Sequence, residues 1–337
     1  MKIGILGAGT WGIAIARLLA LAGNAVTVWS ALPSEIDELD AKRVHPKLQI
    51  MQIPAEVCFT KEISVACTEK ELVIFAVPSP FVRATAAAAR PYLPEDQLIV
   101  DLAKGIEAET MYTMSEVIRS ELQKDGGHST LRLVALSGPT HAEEVAVDLP
   151  TTIVSASRDL QAAETVSSIF STPNLRVYTN TDILGVELCG ALKNVIALAV
   201  GISIGLGYGD NAKAALITRG MAEIARLGKA MGCQERTFYG LAGVGDLIVT
   251  ATSAHSRNNR AGILIGKGYS VEAAVKEVGM VVEGINAIPA AMGLIKRYNV
   301  DMPLVTAADA ILRGGASPRE IVGRLMHREN KNEALDF

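Results

Sequence analysis

The chain has 337 residues, 49% of them apolar and 20% charged. At about 150 residues per domain this is a globular protein of about two domains, which excludes a single small module and a disordered chain. Lys and Arg total 32 against 36 Asp and Glu, a formal net charge of −4 that argues against broad binding to nucleic acid or to an acidic membrane. An anionic ligand must therefore meet a local cluster of positive charge.

Residues 2–6 read as a strand that runs directly into Gly7-Ala8-Gly9-Thr10-Trp11-Gly12 and a helix over 11–22. This is GxGxxG between a strand and a helix. Gly7 permits the tight turn, Gly9 lets backbone approach a pyrophosphate, and Gly12 lets the helix pack close to the strand. The helix N-terminus offers N–H groups and a partial positive charge to the anion. One lysine followed by apolar residues gives 1–16 some likeness to a secretory signal. Its four glycines suit a strand, turn and helix start better. Residues 25–29 return as a second strand, ending in Trp29-Ser30-Ala31-Leu32. A carboxylate at that end would hold a ribose 2′-hydroxyl and an arginine would favour a 2′-phosphate. Neither stands there, and Lys42 and Arg43 follow only later.

Further strands are expected at 72–77, 98–102, 131–136, 151–155 and 176–179, with a helix over 110–123 between them. Short Val/Ile/Leu runs without polar alternation mark strands buried on both faces, so residues 1–181 read as a doubly wound, mostly parallel α/β domain. Ligands of such sheets sit beyond the C-terminal strand ends. Three loops there carry candidates. Val77-Pro78-Ser79-Pro80-Phe81 presents an aromatic that either faces a cofactor or packs. Ala103-Lys104-Gly105 places a cation at a strand end. Ser137-Gly138-Pro139-Thr140-His141-Ala142 brings small residues and backbone N–H groups, with His141 at a helix start in a capping or surface role.

From 182 onward no strand run is evident. Helices are expected at 182–204, 211–231, 271–277, 284–298 and 318–326, with Asp182, Ser270 and Ser317 as N-caps and Pro318 in a first turn. Residues 182–327 read as an all-helical domain, and 328–337 as a fraying tail. The uncharged run 195–209 is too short to span a bilayer and reads as a buried helix followed by a loop. Within that first helix Lys193 and Asn194 interrupt an apolar sequence. Lys193 either snorkels to solvent or is partly buried, and burial would bring its pKa down toward neutrality, where a lysine exchanges protons. Asp246, after Gly243-Val244-Gly245, either caps a helix or orients a lysine or substrate hydroxyl. Ser256-Arg257-Asn258 sets a hydroxyl, a guanidinium and an amide side by side, the groups that hold a phosphate unless they are only a solvated helix start. Cys58, Cys67, Cys189 and Cys233 form no CxxC pair, which argues against a zinc site or redox dithiol and fits a reducing cytoplasm.

These motifs resemble those of the bacterial NAD(P)-dependent glycerol-3-phosphate dehydrogenases. The matching runs are the glycine turn, Ala103-Lys104-Gly105-Ile106-Glu107, Leu136-Ser137-Gly138-Pro139-Thr140-His141-Ala142-Glu143-Glu144 and Gly190-Ala191-Leu192-Lys193-Asn194-Val195. Others are 211–220, Gly243-Val244-Gly245-Asp246-Leu247, His255-Ser256-Arg257-Asn258 and Val281-Val282-Glu283-Gly284. The resemblance, over residues 1 to about 325, implies a Rossmann domain and an all-α domain of the 6-phosphogluconate-dehydrogenase type. It implies interconversion of sn-glycerol 3-phosphate and dihydroxyacetone phosphate with NAD or NADP, mainly in the reductive direction that feeds glycerophospholipid synthesis. A cytoplasmic location is expected from the thiols, and a homodimer as the common assembly of such enzymes. The resemblance carries over Lys193 as general acid/base and Lys104 and Asp246 as catalytic companions. Substrate contacts carried over are Lys104, Gly138, Thr140, Lys193, Asp246, Ser256, Arg257 and Asn258. Cofactor contacts carried over are Thr10, Trp11, Lys104, Ala142, Arg257, Val281 and Glu283; the glycine turn adds Gly7, Gly9 and Gly12, and the loop after the third strand adds Phe81 as a candidate. No metal is implied. Family members often carry His or Arg just after the second strand, where Ala31-Leu32 stands here, which weakens any expectation of a strong NADPH preference. Two rivals are a β-hydroxyacid dehydrogenase acting on a carboxylate substrate and a non-catalytic dinucleotide sensor. The sensor would need neither Lys104, Lys193 nor Asp246.

Overall fold

Short runs of Val, Ile and Leu build a sheet covered on both faces. In the computed structural model, which describes residues 1–329, the strands are β1 (Lys2–Leu6), β2 (Ala25–Trp29), β3 (Cys58–Thr60), β4 (Leu72–Phe75), β5 (Leu98–Asp101), β6 (Arg132–Ser137), β7 (Thr151–Ala156) and β8 (Leu175–Asn180). Their order is β3-β2-β1-β4-β5-β6-β7-β8, and every neighbouring pair is parallel except β6 and β7. Helices α1 (Thr10–Leu21), α2 (Pro33–Lys42), α3 (Ile63–Cys67), α4 (Val82–Ala89), α5 (Met114–Leu122), α6 (Ala142–Val145) and α7 (Leu160–Phe170) accompany them.

Alternate residues of each strand feed opposite faces. Ile3, Ile5 and Ile74 pack with Ile13 and Ile15 of α1 and Phe170 of α7. Leu6, Val73 and Phe75 pack with Val82 of α4 and Val117 and Ile118 of α5. The sheet is doubly wound, as the strand pattern predicts. Strand β3 was not expected, because three half-exposed residues leave no buried apolar run to read. The helix expected from 110 begins at Met114, since the preceding stretch pairs Ile106 with Thr113 instead.

The strand order reverses at β1, whose neighbours are β2 and β4. Register sets Leu6 opposite both Trp29 and Phe75, so these chains leave the sheet at one level. The Gly7 N–H donates to the Trp29 carbonyl at 2.8 Å and the Ala76 N–H to Leu6 at 2.8 Å, which lashes the glycine turn to both neighbours. Gly7 has φ +124°, and a Cβ there would lie 2.6 Å from the Ala76 oxygen. A Cβ on Gly12 would lie 2.2 Å from the Gly7 oxygen.

The chain divides into two units, Met1–Ala103 with Met114–Ile183, and Lys104–Thr113 with the described residues from Leu184 onward. The sequence reading divides it at 181/182 and keeps 104–113 with the first domain. In the folded chain that loop joins the helical unit, where the Thr113 hydroxyl donates to Glu187 at 2.8 Å. The helical unit comprises α8 (Ile183–Gly205), α9 (Asp210–Ala230), α10 (Glu235–Phe238), α11 (Asp246–Thr252), α12 (Arg257–Gly266), α13 (Val271–Val278), α14 (Glu283–Tyr298), α15 (Pro303–Leu312) and α16 (Pro318–Met326). Among the described residues α8 alone is long and apolar enough to cross a membrane, and most of it is buried inside the protein. Ser270 and Ser256 cap their helices by accepting the N–H of Ala273 and Asn259, at 3.1 and 3.2 Å. Ser317 takes an N-cap position without a side-chain bond. The unexpected helix α15 is capped from outside its own sequence. Buried Glu223 accepts the N–H groups of Leu304 and Val305, and burial pushes its carboxyl up to about 7 against those bonds. Of the expected frayed tail, residues 330–337 lie outside the described residues, while Arg328 pairs with Asp301 at 2.7 Å.

Helices α8 and α12 touch through their backbones. A Cβ on Gly201 would sit 2.2 Å from the Asn259 oxygen, and one on Gly262 would sit 2.2 Å from the Leu198 oxygen. Backbone cannot yield as a flexible side chain can. Gly262→Ala should therefore cost about 1–3 kcal/mol of the helical unit's stability, measured by urea denaturation. Gly323→Ala, where nothing lies within 4 Å of the new methyl, should be neutral or stabilise by about 0.5–1 kcal/mol.

Candidate active site

Two groups of residues carry chemistry, one in each unit. The first is the glycine turn. Gly9 precedes α1, whose first turn has neither an acidic residue nor a side-chain cap. A Cβ on Gly9 would meet nothing within 4 Å. Open space over uncapped N–H groups at a helix start suits a diphosphate, so the residues present fit a dinucleotide. Thr10 and Trp11 lie in this first turn. Phe81 is exposed in a short 3₁₀ turn (Ser79–Phe81) just after β4. Gly138 (φ +153°) and Thr140 follow β6, the Thr140 hydroxyl donating to the Gly138 carbonyl at 3.1 Å, and Ala142 begins α6. His141 precedes α6 without a side-chain capping bond.

The second group is built on α8 and α11. Lys193 sits mid-helix among fully buried neighbours such as Leu192 and Val195 and is itself only 5% exposed. Its ammonium donates to Asp246 Oδ1 at 2.5 Å and to Thr250 Oγ1 at 2.6 Å. Lys104 Nζ donates to the other carboxylate oxygen, Asp246 Oδ2, at 2.7 Å. The Thr250 hydroxyl faces Asp246 Oδ1 at 3.5 Å. Asp246 is 1% exposed and opens α11 directly after a π turn (Leu241–Gly245). One carboxylate cannot neutralise two ammoniums out of water. Burial first, and the charge of Lys104 with it, bring Lys193 down to about 7 from its ordinary 10.5, against the attraction of Asp246. Between those two values the unfolded chain binds a proton that the folded chain does not. This group's contribution to stability therefore rises as pH rises through that window.

An amide chain extends from this cluster. Asn258 Nδ2 donates to Asn194 Oδ1 at 2.9 Å, and Asn258 Oδ1 accepts the Gly284 N–H at 2.8 Å. It ties α8, α12 and α14 together and brings Val281 and Glu283, at the start of α14, next to the start of α12. Ser256 is the N-cap of α12. Arg257 begins the helix half-buried and pairs with no carboxylate among the described residues. A guanidinium at a helix N-terminus is suited to an anion.

The structure thus gathers Lys104, Lys193 and Asp246 into one hydrogen-bonded cluster and places Ser256, Arg257, Asn258, Val281 and Glu283 around the α12–α14 contact. Sequence reasoning missed Thr250, which lies one turn after Asp246 on the same helix face, and Asn194 as the link to Asn258. The i, i+4 spacing of Asp246 and Thr250 could have revealed the first. Near β2 it missed a contact between buried Ser30 and Glu35, at 2.5 Å.

Two family models match the chain, the NAD-dependent glycerol-3-phosphate dehydrogenase N-terminus over residues 2–163 and the C-terminus of the same enzymes over 182–323. A curated glycerol-3-phosphate dehydrogenase [NAD(P)+] 2 of Lactobacillus delbrueckii subsp. bulgaricus is 63% identical over 98% of each chain. One of Thermoanaerobacter sp. is 48% identical over 99% of each. The crystal structure of glycerol-3-phosphate dehydrogenase from Coxiella burnetii superposes with a TM-score of 0.92 at 34% identity, covering 97% of this chain and 99% of its own.

In a protein with 13C-labelled lysine, the Lys193 Cε resonance should titrate with a midpoint near 7. Asp246→Asn should lower that midpoint and Lys104→Gln should raise it. Shifts of the opposite sign would refute the electrostatic balance described.

Proposed function

The chain belongs to the NAD-dependent glycerol-3-phosphate dehydrogenase family, and on that premise we propose the following reaction and residue roles. The enzyme interconverts sn-glycerol 3-phosphate plus NAD(P)+ with dihydroxyacetone phosphate plus NAD(P)H and a proton. The reductive direction supplies the backbone of glycerophospholipids. The observation that carries the reading is the buried Lys193–Asp246–Lys104 cluster, since a lysine brought to about 7 exchanges a proton with an alcohol oxygen at physiological pH.

The dinucleotide, when bound, supplies the hydride that C2 of the substrate receives. Gly7, Gly9, Thr10, Trp11 and Gly12 hold its diphosphate, and Phe81, Ala142, Val281 and Glu283 are its further contacts. Lys193 Nζ holds a proton and passes it to the oxygen on C2 as the carbonyl becomes an alkoxide. Asp246 and Thr250 fix the direction in which that proton points, because both accept from the same ammonium. Lys104 keeps a second positive charge beside the reacting oxygen and offsets the carboxylate. Arg257, with the Ser256 hydroxyl and the start of α12, grips the substrate phosphate, and that fixed end orients the carbonyl. Asn258 contributes through the one amide hydrogen left after its bonds to Asn194 and Gly284. Gly138 and Thr140 complete the substrate contacts. In the oxidative direction the neutral amine takes the hydroxyl proton.

We propose a cytoplasmic enzyme acting as a homodimer. The free thiols of Cys58, Cys67, Cys189 and Cys233 agree with a reducing compartment, and a symmetric dimer is the common assembly of such proteins.

Initial rates with dihydroxyacetone phosphate test the reaction itself. Lys193→Ala should lower kcat by roughly 10²–10⁴-fold with dinucleotide affinity unchanged, and full activity would remove Lys193 from the chemistry. Arg257→Ala should raise KM for the phosphorylated substrate about ten- to hundredfold, the worth of a charge-assisted hydrogen bond. Its rate with unphosphorylated dihydroxyacetone should not change, and an unaltered KM for the phosphorylated substrate would reject the anchor.

A further inference from the structure

The residues beyond β2 hold more than the sequence of that strand end suggests. Ser30, the first residue after β2, is buried, and its hydroxyl donates to Glu35 Oε2 at 2.5 Å while accepting the Leu32 N–H at 3.2 Å. The carboxylate is half-buried in the first turn of α2, drawn back to the strand end although it lies five residues further along the chain. Its other oxygen, Oε1, has no hydrogen-bond partner among the described residues. The glycine turn is fastened to the same place through the Gly7 N–H on the Trp29 carbonyl.

Three cations of this region are engaged. Lys42 pairs with Glu38 at 2.7 Å, Arg43 with Asp40 at 2.7 Å, and Lys61 with Asp37 at 2.6 Å. Arg43 also donates to the Val57 carbonyl and lies over the Phe59 ring. Burial lowers the pKa of His45, so that ring adds no positive charge at neutral pH. Glu35 also offsets the positive end of α2, which would otherwise attract an anion.

We propose that Glu35, positioned by Ser30, selects the cofactor, accepting a hydrogen bond from the adenosine ribose 2′-hydroxyl of NAD(H) and repelling the 2′-phosphate of NADP(H). This rests on the dinucleotide-binding reading above. A hydroxyl needs an acceptor, which Oε1 is. A phosphate dianion needs free cations, and Lys42, Arg43 and Lys61 are balanced by their own carboxylates. Ser30 is a positioning residue. Without its hydroxyl the carboxylate swings free on α2.

Equilibrium titration of NADH and NADPH, followed by quenching of Trp11 and Trp29 fluorescence, tests this without turnover. The wild type should bind NADH about tenfold or more tighter than NADPH. Glu35→Gln should shrink that ratio toward unity, chiefly by tightening NADPH, and Ser30→Ala should shrink it partway. Raising NaCl should narrow the ratio in the wild type and leave Glu35→Gln unmoved, because only a charge effect is screened. Equal affinities in the wild type, or a ratio that Glu35→Gln leaves unchanged, would overturn the proposal while leaving dinucleotide binding intact. Failure of both dinucleotides to bind would overturn the underlying reading instead.

Discussion

A single buried carboxylate shared by two ammonium groups sets the character of the helical unit. Asp246 binds Lys193 through one oxygen and Lys104 through the other. Were it bound to one lysine only, pair and burial would roughly offset. With two, the cluster carries an excess positive charge around a carboxylate and a lysine that are almost wholly buried. The cheapest relief is loss of a proton from the more deeply buried lysine. The chemistry proposed for Lys193 therefore follows from charge counting in a small volume, and it requires the loop that carries Lys104 to be part of the helical unit, as it is.

The rest of that unit holds the cluster still. Lys193 is on the most buried helix, and glycines let α12 approach α8 backbone to backbone, which brings Asn258 within reach of Asn194. The start of α12, with Ser256 and Arg257, is thereby fixed relative to the lysine. In the sheet unit the same economy appears. Glycine at 7 and 12 closes a turn that no side chain would permit, and hydrogen bonds to Trp29 and from Ala76 lock that turn to the neighbouring strands.

Much of this was legible in the sequence. The strands of the sheet and the long apolar helix announce themselves because burial on all sides leaves uninterrupted apolar runs. The glycine turn is readable because its geometry permits few other residues. Lys193 stood out as a charge where only apolar residues belong. What escaped depended on distant partners. Strand β3 is too short and half-exposed to leave a pattern. Helix α15 takes its cap from Glu223, some eighty positions away. The stretch 104–113 reads as a strand-end loop leading into a helix of the first domain, and nothing local says that Thr113 bonds to Glu187. Glu35 is not legible at the strand end because its side chain returns there from the following helix.

The pH dependence of the two directions of reaction bears on the central claim most directly. If Lys193 is the proton donor, kcat/KM for reduction of dihydroxyacetone phosphate should fall about tenfold per pH unit above about 7, while that for oxidation of glycerol 3-phosphate rises up to the same point and levels off. A reduction rate that stays flat to pH 9, with oxidation equally indifferent, would show that some other group carries the proton.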